Sequence, residues 1–180
     1  NSGESVFDAP VFDEDVNASQ VVEKSDREEN KGTTLPIQLT GDQAEYDSVS
    51  GDFHLSGNVV ITQGLEKLVT THAHGNMKTG DVWLEQGGSV VEPGSTMTGK
   101  WVHYNFNTKT GEIKEITGKG KKEWFDAPHA TIYPDKLVID EGGVMSRCPS
   151  KEHPPCLSVK AKTFEIYPKD KMVAHDVKVF

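Results

Sequence analysis

The 180-residue sequence has no apolar run approaching the roughly 20 residues that cross a bilayer as a helix. Its longest are Val59-Val60-Ile61 and Leu137-Val138-Ile139, which predicts a soluble chain. No charged, apolar and small-residue leader opens it, so either export has removed one or the sequence begins after it. Basic clusters are missing as well. The net charge is −9, and residues 1–30 hold nine acids against Lys24 and Arg27, which leaves the rest of the chain near neutral. Without a basic stripe to neutralise phosphates, nucleic acid is excluded as a partner. Cysteine is scarce, with Cys148 and Cys156 alone. Nor does any stretch of ten residues repeat its apolar positions at helical spacing. For catalysis the chain would need paired carboxylates, a nucleophile beside a base, or a phosphate-cradling loop. None is present: Asp140-Glu141 before Gly142-Gly143 reads as a turn, and the chain is expected to be no enzyme and to need no cofactor.

What is present is a two-residue alternation, starting near Leu35 and broken by Gly, Asp and Asn. It is the pattern of short antiparallel strands. Residues 1–33 are acidic, polar and aperiodic, and are expected to be a disordered leader. Within them the Val6-Phe7 and Val11-Phe12 pairs leave a docked edge strand as the alternative, and the sequon Asn17-Ala18-Ser19 is read as accidental. Residues 34–180 form the folded domain. Turns are predicted at Val49-Ser50-Gly51, Lys78-Thr79-Gly80, Gly87-Gly88, Lys109-Thr110-Gly111, Pro134-Asp135-Lys136 and Pro168-Lys169-Asp170.

A longer period overlies the alternation. Residues Gly41 to Tyr46 are echoed by Gly99 to Tyr104 and, more weakly, by Ala161 to Ile166. Each is followed by a turn and a longer strand, and Leu84 to Gly88 matches Ile139 to Gly143. One hairpin unit is stacked several times, because a single hairpin cannot bury its own apolar face.

At Tyr46-Asp47, Ser50-Gly51 and the run Gly57-Asn58-Val59-Val60-Ile61-Thr62-Gln63-Gly64 the chain resembles the OstA/LptA family of periplasmic lipopolysaccharide-transport domains. The C-terminal part, with Cys148-Pro149, Leu157 to Ala161 and Ala174 to Val177, is similar to the periplasmic part of LptD, the outer-membrane receptor. Lys100-Trp101 and Asn105-Phe106 depart from the acidic and Asp positions usual in the repeat. The resemblance implies an all-β, open, twisted jelly roll of repeated antiparallel hairpins. It also implies a periplasmic location, association with the outer membrane, lipopolysaccharide as ligand, and related jelly rolls as partners through edge-strand pairing or self-association.

Alternation puts Phe53, Leu55, Val59 and Ile61 on one face, with a small adjustment at Gly57-Asn58, and His54, Val60 and Thr62 on the other. The same reasoning pairs Val82 with Leu84, Ile113 with Ile116 after a bulge, Leu137 with Ile139, and Phe164 with Ile166, and adds Tyr104. These positions are either plain core or the lining of a groove for lipid acyl chains, where burial is worth about 0.8 kcal/mol per methylene. His72 and His74 share a face. Cys148, His153 and Cys156, with His129 as a fourth ligand, could hold zinc. The same two cysteines could instead stay free, or pair as a disulfide closing the Pro-containing loop and contributing about 2.5 kcal/mol. The function expected is transport of lipopolysaccharide as one link of a trans-periplasmic bridge. The rivals are an envelope scaffold with a closed core and an accessory domain of a carbohydrate-active enzyme.

Overall fold

The computed structural model of the chain describes residues 35–120, 123–147, 157–167 and 170–180, with the backbone of residues 22–24. Among the described residues every regular element is a strand: β1 (Val22–Lys24), β2 (Ile37–Thr40), β3 (Gln43–Tyr46), β4 (Asp52–Gln63), β5 (Glu66–Asn76), β6 (Asp81–Leu84), β7 (Gly88–Glu92), β8 (Ser95–Gly99), β9 (Trp101–Asn105), β10 (Thr110–Lys119), β11 (Trp124–Ile132), β12 (Leu137–Ile139), β13 (Gly143–Ser146), β14 (Ser158–Ala161), β15 (Thr163–Ile166), β16 (Met172–His175) and β17 (Lys178–Val179). β1 pairs with β2 inside the span expected to be leader; Val6 to Phe12 lies outside the described residues.

All pairing is antiparallel, and it resolves into two ladders that share the four longest strands. Ladder one runs β3-β4-β5-β6-β9-β10-β11-β12-β15-β16. Ladder two runs β1-β2-β4-β5-β7-β8-β10-β11-β13-β14-β17. Each long strand gives one half to each ladder; in β4, residues 53–56 pair with β3 and residues 60–63 with β2. The ladders close over one apolar cluster, which makes the molecule the twisted β-jelly roll that the family resemblance implies.

The corner between the ladders is built the same way three times. The backbone N–H groups of Asp42, Lys100 and Lys162, between the short strands, donate to the carbonyls of Gly57, Lys114 and His175 at 2.8, 3.0 and 3.1 Å. On the long-strand side the chain turns through positive φ at Gly57 and Asn58, at Glu115, and at Asp176. These are the three units found by self-comparison, whose junctions fall between β2 and β3, β8 and β9, and β14 and β15. The half-repeat echo also has a cause, because Gly87 and Gly142 make the equivalent turns before β7 and β13 with φ of 88° each.

The adjustment at Gly57-Asn58 is a bulge, with two residues of β4 set against one of β5. The bulge expected between Ile113 and Ile116 is absent. The register with β11 runs unbroken there, and the change of face comes from Glu115 at φ 50°, opposite Pro128, where the ladder lacks an N–H.

Candidate functional site: the apolar interior

Register carries the inward side chains into continuous rows. On ladder one, Tyr46, Phe53, Gly75, Val82, Tyr104, Gly111, Ile132, Leu137, Ile166 and Met172 lie opposite one another in turn across ten strands. Beside that row, nearer the corner, Leu84, Val102, Ile113 and Ala130 form one run and Ile139, Phe164 and Ala174 another. Facing them on ladder two, Leu39, Ile61, Leu68, Val90, Met97, Gly118, Phe125, Met145, Val159 and Val179 are likewise aligned.

Twelve of the thirteen positions singled out from the sequence are buried here: Phe53, Leu55, Val59, Ile61, Val82, Leu84, Tyr104, Ile113, Ile116, Leu137, Ile139 and Phe164. Ile166 is half-buried against the same cluster. Alternation missed most of ladder two. Leu39, Met97 and Val159 stand at the spacing of the recognised repeat, two residues upstream of Gly41, Gly99 and Ala161, so extending the echo would have found them. Phe106, from a turn, seals the rim of ladder one with its ring edge-on to Tyr104, centroids 4.9 Å apart.

The interior changes character along the molecule. In the first repeat it is closed, with Leu39, Val59, Ile61 and Leu84 at 0% exposure. A polar bridge also ties the free rims of the two ladders together. The Tyr104 hydroxyl donates to Glu66 Oε2 at 2.9 Å, and Lys109 from the β9-β10 turn reaches both Glu66, at 3.5 Å, and Gln63. Burial pushes the Tyr104 phenol above its ordinary range, and the Glu66 carboxylate adds to the rise. Toward the C terminus the rows come to the surface: Met145, Val159 and Ile166 are half-buried, while Met172 and Val179 are exposed. A separate shallow cavity of about 500 Å³ lies by the third corner, between Pro128, Gly142, Val144, Lys160 and Lys178. None of the thirteen positions lines it.

The outward face of ladder one has its own row, Glu45, His54, His74, Trp83, His103 and Glu112, in cross-strand register. The rings stack at 5.7, 5.4 and 4.9 Å. His103 contacts Asp81 at 2.9 Å and His74 contacts Glu85 at 3.4 Å. His74 is thus part of a stack, whereas His72 contacts Thr71. Cys148, His153 and Cys156 lie outside the described residues, with the disulfide and the zinc site expected there. His129, the fourth ligand of that reading, sits between Glu112 and Asp140.

Over residues 27–119, just over half its length, the chain matches the family model described as lipopolysaccharide-assembly, LptC-related. Among solved structures it is similar to LptH of Pseudomonas aeruginosa, described as the LptA-homologous periplasmic component of the conserved lipopolysaccharide transport device. The two superpose with a TM-score of 0.53 at 15% identity, covering 78% of this chain and 96% of that one, a likeness of fold. No curated protein sequence matches.

Proposed function

The chain belongs to the LptC-related lipopolysaccharide-assembly family, whose members are non-enzymatic components of lipopolysaccharide transport, and we propose that its two facing apolar rows hold the acyl chains during passage through the periplasm. The reading rests on one observation, the continuity of both rows from the buried first repeat to the exposed C-terminal strands. A second jelly roll paired at that edge would carry the rows onward without a polar gap. Each methylene taken from water contributes about 0.8 kcal/mol, so the lining requires no charged group to bind acyl chains. The domain is then one link of a bridge toward the outer membrane. The family match ends at residue 119, so the likeness of the C-terminal part to LptD rests on sequence resemblance.

A closed scaffold is the second reading, favoured by the tight first repeat and the bridge of Tyr104, Lys109 and Glu66 across its mouth. Photo-crosslinking in cells separates the two. A photoreactive residue at Met145 or Val159, facing inward, is expected to form lipopolysaccharide adducts, while one at Lys160, on the opposite face of β14, is not. Adducts that are absent, or equally strong from Lys160, would leave the scaffold.

A further inference from the structure

We propose that His129, Asp140 and Glu141 form a binding site for a divalent transition-metal ion of the zinc type on the outer face of ladder one. The metal-binding atoms of the three side chains lie within 4.8 Å of one another. Zinc ligated by one imidazole nitrogen and two carboxylate oxygens takes bonds of about 2.0–2.2 Å, so small rotamer adjustments bring all three into its shell.

The fold aims these groups at each other. His129 alternates with buried Ala130 on β11 and therefore faces outward. Asp140 and Glu141 occupy the turn after β12, which is fixed by Gly142 at φ 88° and by the Gly142 N–H donating to the Lys162 carbonyl at 2.8 Å.

Two further observations bear on the geometry of the site. Glu112 stands 2.8 Å from His129 Nε2 on the side away from the acids, the place of the outer carboxylate that holds a ligating imidazole in one tautomer and aims its other nitrogen at the metal. Glu141 has no hydrogen-bond or ion-pair partner among the described residues, although it converges on the pair. Lys114, the cross-strand neighbour of His129, carries its ammonium over the Trp101 ring at 4.6 Å. Three carboxylates therefore converge on one imidazole. One nitrogen and two oxygens suit zinc among the available divalent ions and leave a coordination position for water or for a group from a partner.

The test is zinc chloride titration of the full, tag-free chain after chelator treatment, followed by calorimetry and by the thermal midpoint. A single site that raises the midpoint is expected, weakened about tenfold or more by His129→Gln, Asp140→Asn and Glu141→Gln. Glu141→Gln keeps the experiment clean, because its side chain has no partner to lose and the metal-free midpoint should not move. The double variant Cys148→Ser/Cys156→Ser is expected to bind zinc as wild type does. No binding at tenfold excess would overturn the proposal, as would full affinity in His129→Gln and Glu141→Gln, or loss of binding in the cysteine variant or in His54→Gln/His74→Gln.

Discussion

Lys100 Nζ lies 3.3 Å from Glu115 Oε1 at the corner of the second repeat, the place where the first repeat sets Asn58 Nδ2 against Asp42 Oδ2 at 2.8 Å. The acid has changed sides. The departure at Lys100 from the acidic residue usual in this repeat is therefore an exchange between the short-strand corner and the long strand. Both members of the Lys100 pair are mostly exposed, so it adds little stability, and the N–H to carbonyl bond beneath it fixes the geometry.

The corners are expected to respond to substitution by backbone conformation. Gly57 has φ 73°, and a Cβ there would sit 2.5 Å from Asp42 Oδ2, so Gly57→Ala should cost at least about 1 kcal/mol. Glu115→Gly at φ 50° should stay within about 0.5 kcal/mol of wild type, because relief of the left-handed conformation offsets the weak ion pair and the added chain entropy. Urea unfolding of the two variants checks the contrast.

His129 gives the fold a pH dependence of definite sign. Burial works to lower its pKa, but hydrogen bonds and charge from Asp140 and Glu112 outweigh it and hold the imidazole above its ordinary value. A raised folded-state pKa contributes stability that is fully present below the unfolded value near 6.5 and is lost as pH rises through the folded one. With a chelator present, His129→Gln should therefore lower the unfolding midpoint more at pH 5.5 than at pH 8.5. An equal loss at both would remove the charged bridge.

The bridge across the mouth of the first repeat should hold the ladders together. Tyr104→Phe deletes the bond to Glu66 while keeping the ring against Phe106, and is expected to cost about 1–2 kcal/mol. If the rims part to admit lipid, the same variant should also raise the yield of lipopolysaccharide adducts from a photoreactive residue at Val90. Unchanged yield with reduced stability would make the bridge a structural tie alone.

Edge pairing can be tested at a single amide. Ser158 and Phe180 exchange both backbone hydrogen bonds, so the intervening pair Val159 and Val179 exchanges none, and the Val179 N–H points away from β14 toward the open edge. Val179→Pro should leave the unfolding midpoint nearly unchanged while abolishing concentration-dependent association seen by sedimentation. Association that survives the proline would place the contact elsewhere.

The repeat was the most legible feature of the sequence, because the three corners need the same backbone and so keep similar residues. Inward positions could be read where strands are long enough to alternate, as in Phe53 to Ile61. Leu68, Val90, Met97 and Phe125 escaped because positive-φ residues reset the phase, or because strands of four or five residues offer only one or two inward side chains among Ser, Thr and Gly. The bridge of Tyr104, Glu66 and Lys109 and the site around His129 were invisible for another reason. Their partners lie 38 and 17 residues apart, and only the register brings them together.

The rise in exposure from the first repeat to β17 also grades the molecule kinetically. Among the described residues the strands pack mainly against their neighbours along the stack, so opening free energy is expected to fall along it, with β16 and β17 exchanging their amide hydrogens first. The strands that offer the docking edge are then the least protected cooperative unit of the domain. A partner adding a strand there supplies their missing neighbour, and its arrival should be recorded as slowed exchange that begins at the edge and spreads back toward the second repeat.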